Sequence, residues 1–179
     1  LREELCTYLP ALESYNRASY IGIVLARTES KVEQEYVLQS LGDRSADIRD
    51  EAYKVLSEMS LSPEQYQHIE ELLRFKYSEM RINAINLLMK QPEAQLAASI
   101  RRLLSVDKNA ERRLAGLDMM KSIRNVDFLK DSYQKLLSTV REIQKPNAKE
   151  KILIESLIGD GTEQSPTSNY TRENGFGLY

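Results

Sequence analysis

The sequence predicts an all-α protein, an array of about five helix pairs in which one pattern recurs every 32 residues. Three observations carry this expectation. Apolar residues fall at helical spacing along most of the chain, and strand-like alternation is nowhere sustained. Between Leu1 and Ile158 only Gly22, Gly42 and Gly116 interrupt the chain, whereas Gly159, Gly161, Gly175 and Gly177 crowd its end. Finally, the chain matches itself at a fixed shift. Ile48-Arg49-Asp50-Glu51-Ala52-Tyr53-Lys54-Val55-Leu56 aligns with Met80-Arg81-Ile82-Asn83-Ala84-Ile85-Asn86-Leu87-Leu88, and both align with Arg112-Arg113-Leu114-Ala115-Gly116-Leu117-Asp118-Met119-Met120.

In chain order the expected helices are 2–9, 11–27, 31–41, 46–59, 63–75, 78–90, 93–105, 110–123, 127–143 and 148–158. The prolines Pro10, Pro63, Pro92 and Pro146 lie where helices should start or stop. Two starts carry a capping signature. In Ser30-Lys31-Val32-Glu33 and in Ser62-Pro63-Glu64-Gln65 a serine can accept from a backbone N–H three residues on, and Glu33 or Gln65 can reach back. Pro63 also suits a first helical position. The fourth helix is fixed by a stripe of Ile48, Ala52, Val55, Leu56 and Met59; the ninth by Leu129, Tyr133, Leu136, Leu137 and Val140. Connections are short, so successive helices should form antiparallel hairpins.

Each repeat carries an arginine, a small residue three later, and two apolar residues three and four beyond that. The small residue lets helix backbones approach, and the apolar pair fills the gap between layers. A single hairpin cannot bury its apolar face, so neighbours must stack. Extending the register places Arg17 and Lys145 on the basic position and Ala148 on the small one, with Tyr20 replacing the small residue in a degenerate first copy.

The recurring Arg-x-x-Ala-x-x-x-Leu resembles the second helix of HEAT repeats over most of residues 11–158. Tetratricopeptide and ankyrin repeats have similar periods, but their signatures are missing here. The resemblance implies an armadillo-like, right-handed α-α superhelix, a solenoid of short-helix repeats. It also implies that Arg49, Arg81 and Arg113 form a structural ladder, bonding to turn carbonyls or to an acid of the adjacent repeat. Residues 1–158 are expected to form this domain. Residues 159–179, polar through Gly159 to Asn169 and apolar again from Glu173 to Tyr179, read as a flexible linker leading into a further segment, so the chain is expected to be an excerpt of a larger protein.

Composition narrows the function. Net charge is −2, which gives no global pull toward nucleic acid or an anionic membrane. No stretch approaches the roughly 18 apolar residues of a membrane span. One cysteine, Cys6, fits a reducing, cytoplasmic setting. The single histidine, His68, has no nucleophile motif beside it, and a Cys6–His68 dyad would require residues of distant repeats to meet. One Cys and one His cannot build a standard zinc site, no calcium-loop spacing is present, and no phosphate-gripping glycine loop appears. No catalytic residue, cofactor or metal is therefore expected. Arg101-Arg102 and Arg112-Arg113, with Lys108 and Lys121, could form a local basic patch, but Asp107, Glu111 and Asp118 are interleaved with them.

The function expected on these grounds is a non-catalytic protein-interaction scaffold or regulatory module, with a protein or peptide as partner. Solenoids usually bind along the second helix of each pair. The candidate positions there, opposite the apolar stripe, are Asp50, Lys54, Asn86, Lys90, Asp118 and Ser122. The alternatives are a HEAT-like enzyme of the DNA glycosylase or lyase type, and a nucleic-acid-binding array. The first requires a concave pocket with convergent polar groups, the second several unopposed cations.

Overall fold

The computed structural model describes residues 2–106 and 109–159. Among them are ten α-helices and no strand: α1 (Arg2–Tyr8), α2 (Ser14–Val24), α3 (Lys31–Ser40), α4 (Ala46–Glu58), α5 (Pro63–Leu72), α6 (Ser78–Leu88), α7 (Glu93–Leu104), α8 (Ala110–Ile123), α9 (Lys130–Arg141) and α10 (Ala148–Gly159). The expected segments match these helices within a few residues. The largest differences have local causes. Pro10 falls in a 3-10 turn, Leu9–Ala11, followed by extended Leu12 and Glu13, so α2 starts at Ser14. Residues Asp127–Leu129 likewise form a 3-10 turn ahead of α9.

The helix starts are held by the caps the sequence offers. Ser62 and Gln65 close a full capping box, with Gln65 N–H donating to Ser62 Oγ at 3.3 Å and Ser62 N–H donating to Gln65 Oε1 at 2.8 Å. At Ser30 only half the box forms. Glu33 N–H donates to Ser30 Oγ at 3.4 Å, but the Glu33 carboxylate is buried and accepts from the Thr28 hydroxyl instead. Two further caps, Asn109 on α8 and a reciprocal Asn147–Glu150 pair on α10, complete the even-numbered end of the chain.

The packing is regular. The even helices form one row, α2 on α4, α4 on α6, α6 on α8 and α8 on α10. The odd helices form another, α1 on α3, α3 on α5, α5 on α7 and α7 on α9. The pairs α3–α4, α5–α6, α7–α8 and α9–α10 join the rows. One apolar core runs between them from Ala18 to Leu157. Its most regular members are the apolar pairs of the repeat, Val55/Leu56, Leu87/Leu88 and Met119/Met120, all buried.

The 32-residue period is visible in the helix starts, because α2, α4, α6 and α8 begin at residues 14, 46, 78 and 110. The last copy departs from it. α10 begins at Ala148, six residues late, so the extension of the register to Lys145 and Ala148 is corrected. Lys145 lies in the α9–α10 connection with a positive φ of 50°, and Ala148 is the first residue of its helix. Counted from the helix start, Lys151 takes the arginine position, and Leu157 and Ile158 take the places of the apolar pair.

The small residue does what the repeat requires of it. A Cβ on Gly116 would stand 3.0 Å from Leu104 Cδ2 and 3.2 Å from Leu103 Cβ, so α8 lies close against α7. Gly116→Val is therefore expected to destabilise the chain by about 1–3 kcal/mol in urea unfolding, despite the better helix propensity of valine. An unchanged or raised midpoint would mean that the two helices have room to separate.

Candidate functional site

The even row carries both the stacking chemistry and the candidate surface. Its stacking chemistry is the arginine ladder. Arg49 donates to the carbonyls of Asp43 and Arg44 in the α3–α4 turn at 2.9 and 3.0 Å, and to Glu79 on α6 at 3.1 Å. Arg81 reaches the Glu111 carboxylate at 3.3 Å and Asp118 at 2.5 Å, both on α8. Arg113 donates to the Val106 carbonyl at 2.8 Å and to Glu150 on α10 at 2.7 Å. In all three cases the receiving acid lies in the first turn of the next even helix, where a carboxylate also meets the positive end of the helix dipole. Arg17 differs. It pairs with Asp43 at 2.8 Å in the α3–α4 turn.

The basic patch is spent in the same way. Arg102 makes a two-pronged bond to buried Glu70, at 2.6 and 3.1 Å, which raises the Arg102 pKa above its ordinary value. Arg112 pairs with Glu71 at 3.2 Å, and Arg113 with Glu150. Arg101 and Lys121 are exposed; Asp107 and Lys108 lie outside the described residues. The four arginines therefore do not form a block of unopposed cations. His68 sits half-exposed on α5 with its Nδ1 at 4.0 Å from Glu35 Oε1, and Cys6 is buried on α1. Among the described residues no cluster of His, Cys, Asp or Glu is arranged to hold a metal ion, and no helix is long and apolar enough to cross a membrane.

Five of the six positions expected to meet a partner lie on even helices and Lys90 lies just after one, but they are not one cluster. Asp50 and Lys54 come together on α4. Lys54 Nζ donates to Glu51 Oε1 at 2.6 Å, and that bond, with the Glu51 charge and more weakly Asp50, raises the Lys54 pKa. Asn86 is exposed on α6. Lys90 is exposed after α6 and donates to the Ser57 carbonyl of the neighbouring pair at 2.8 Å. It lines a separate cavity of about 330 Å3 with Leu56, Leu61 and Tyr66. Asp118 is partly taken up by Arg81, and Ser122, one turn on, donates to the Asp118 carbonyl at 3.0 Å.

A cavity of about 550 Å3 is an open groove between α2 and α4. Its α2 wall is Tyr15, Ala18, Ser19, Gly22 and Ile23; its α4 wall is Asp47, Asp50, Glu51 and Lys54. Gly22 matters to its shape, because a Cβ there would run into the Glu51 carboxylate. Ile23 has the apolar spacing of a core residue, and Tyr15 is one of the helix-borne tyrosines whose apolar ring and polar tip suit either inter-helix packing or a peptide-binding groove. Tyr15 is 77% exposed and Ile23 80% exposed. The sequence does hold one signal for them, since the first copy of the repeat is the degenerate one.

A model described as a family of unknown function (DUF5724) matches residues 1–179, the full length of the chain. No curated protein matches, and no solved structure matches.

Proposed function

The chain belongs to the family of unknown function DUF5724, and we propose that it acts as a short HEAT-like solenoid that binds a partner protein along its even helices. The reading takes the two rows of helices as a right-handed superhelix of stacked hairpins. The regular packing of each helix on the next but one supports it, as does the arginine ladder that links successive pairs.

One observation carries the functional half of the proposal. The frame repeats, but what it displays does not. At the position eight residues after the helix start the chain shows exposed Lys54 and Asn86 and half-exposed Asp118; four residues after it, exposed Asp50 and Ile82 and, on α8, buried Leu114. Residues of constant type face inward and serve stacking, while residues of varied type face solvent on one row. A recognition surface on a repeat scaffold has this division of labour.

The other readings have less support. Three of the four arginines a nucleic-acid reading would use, Arg102, Arg112 and Arg113, are bound by Glu70, Glu71 and Glu150, and phosphate binding needs several cations free to release counterions. An enzymatic reading has the carboxylates of the α2–α4 groove and the Tyr15 ring, but Asp47 and Asp50 are solvent-exposed in an open groove. Catalytic carboxylates generally work in an enclosed site with convergent partners.

A photo-activated cross-linking residue placed at Asn86 in the producing cell tests the proposal. Gln67, exposed on the odd helix α5, is the control position. The expected result is a discrete protein adduct from Asn86, weakened by Ser122→Arg on the same row, and none from Gln67. Equal adducts from both positions, or none from either, contradict it.

A further inference from the structure

We propose that the groove between α2 and α4 is the docking site for a cationic amphipathic helix of a partner protein. The inference rests on the reading of the array as a protein-binding module and names the chemistry of the partner.

The repeat itself shows what is unusual here. Nine residues after the helix start, the later even helices carry Val55, Leu87, Met119 and Leu157, all buried. The same position of α2 is Ile23, which is exposed. It is a residue of core type standing in solvent. Tyr15, also exposed, lies eight residues before Ile23, about 12 Å along the helix axis. That is the separation of anchors two turns apart on a bound amphipathic helix. Between them the α2 wall is made of the small residues Ala18, Ser19 and Gly22, with the Glu51 carboxylate lying over Gly22.

The opposite wall sets the charge of the occupant. It carries three carboxylates, Asp47, Asp50 and Glu51, against one ammonium, Lys54. Lys54 is committed to Glu51. Among the described residues neither Asp47 nor Asp50 makes an ion pair. Asp47 occupies the first turn of α4, the place where Glu79, Glu111 and Glu150 receive an arginine from the preceding even helix. The arginine that should fill it, Arg17, has turned to Asp43. The groove thus presents a receiving acid of the ladder with no arginine on it, beside apolar anchors with no core on them.

A helix lying across the groove with leucine-type residues on one face and lysines or arginines flanking them satisfies both walls at once.

The test is fluorescence anisotropy of the full chain with a labelled helical peptide of about 18 residues, leucine at helical spacing and lysine elsewhere. A peptide with glutamate in place of lysine is the comparison. The lysine peptide is expected to bind, more weakly as salt rises. Its Kd should rise at least about tenfold with Asp47→Asn/Asp50→Asn and with Tyr15→Ser/Ile23→Ser. Glu29→Gln/Glu155→Gln removes two exposed charges elsewhere and should leave it within about twofold. Equal binding of the glutamate peptide, no binding of either, equal loss with the control pair, or no loss with the groove variants each overturns the proposal. The two readings fail separately. An adduct at Asn86 with groove variants that bind like the parent sinks only the groove; a groove that behaves as expected with no adduct at Asn86 sinks the wider use of the row.

Discussion

Glu150→Ala is expected to be among the most damaging single substitutions in the array, costing about 3–5 kcal/mol. The Glu150 side chain is 0% exposed, and Arg113, its partner, is 10% exposed. Removing the carboxylate breaks both of its bonds to the Arg113 guanidinium, at 2.7 and 3.3 Å, and leaves the bond to the Val106 carbonyl. It also removes half of the reciprocal cap at the start of α10, since Asn147 N–H donates to Glu150 Oε2 at 2.6 Å. Both losses fall on one joint, between α8 and α10. In a stack stabilised mainly by nearest-neighbour contacts the damage should therefore be local. Hydrogen exchange should show α10 losing protection first, while α4 and α6 keep theirs. A melt indistinguishable from the parent would mean that the pair contributes nothing to the joint.

Leu88→Ala is the second large effect, about 2–5 kcal/mol by urea unfolding. Leu88 is fully buried, at the end of α6, and belongs to the apolar pair that recurs as Leu56 and Met120. Truncation removes its transfer free energy and opens a cavity between layers that neighbours on both sides have been shaped to fill. Ile82→Ala, on the same helix but more than half exposed, is the natural comparison and should change stability little. Equal effects from the two would mean that α6 is rotated from the orientation described.

The helices were legible because each carries its own start signal and stripe. Ser62-Pro63-Glu64-Gln65 specifies a helix start by hydrogen bonds that involve no other part of the chain, and the full box forms. The ladder was legible in outline, since a basic residue recurring at fixed spacing implies a recurring structural job. Its receiving acids were legible only in part, because Glu79 and Glu111 both lie 30 residues after their arginines, whereas Glu150 lies 37 after Arg113, where the α9–α10 connection lengthens. The same extra length hid the true register of the last pair, so Lys145 and Ala148 seemed to continue a pattern that Lys151 and Leu157 continue in space.

The groove was half legible. Asp50 and Lys54 could be placed on a solvent face by periodicity alone. Tyr15 and Ile23 could not, because a sequence gives the apolar face of a helix but not whether a neighbour covers it. Exposure of a core-type residue is a tertiary property. The tail assigned to residues 159–179 lies outside the described residues from Asp160 onward, while Gly159 closes α10.

The account stands on coupling between successive pairs through the arginine ladder, and a double-mutant cycle on Arg113→Met and Glu150→Gln measures that coupling directly. Urea unfolding of the parent, both single variants and the double variant should give an interaction free energy of about 1–3 kcal/mol, the double variant being less destabilised than the sum of the singles. Additivity within about 0.5 kcal/mol would contradict a ladder that ties one pair to the next.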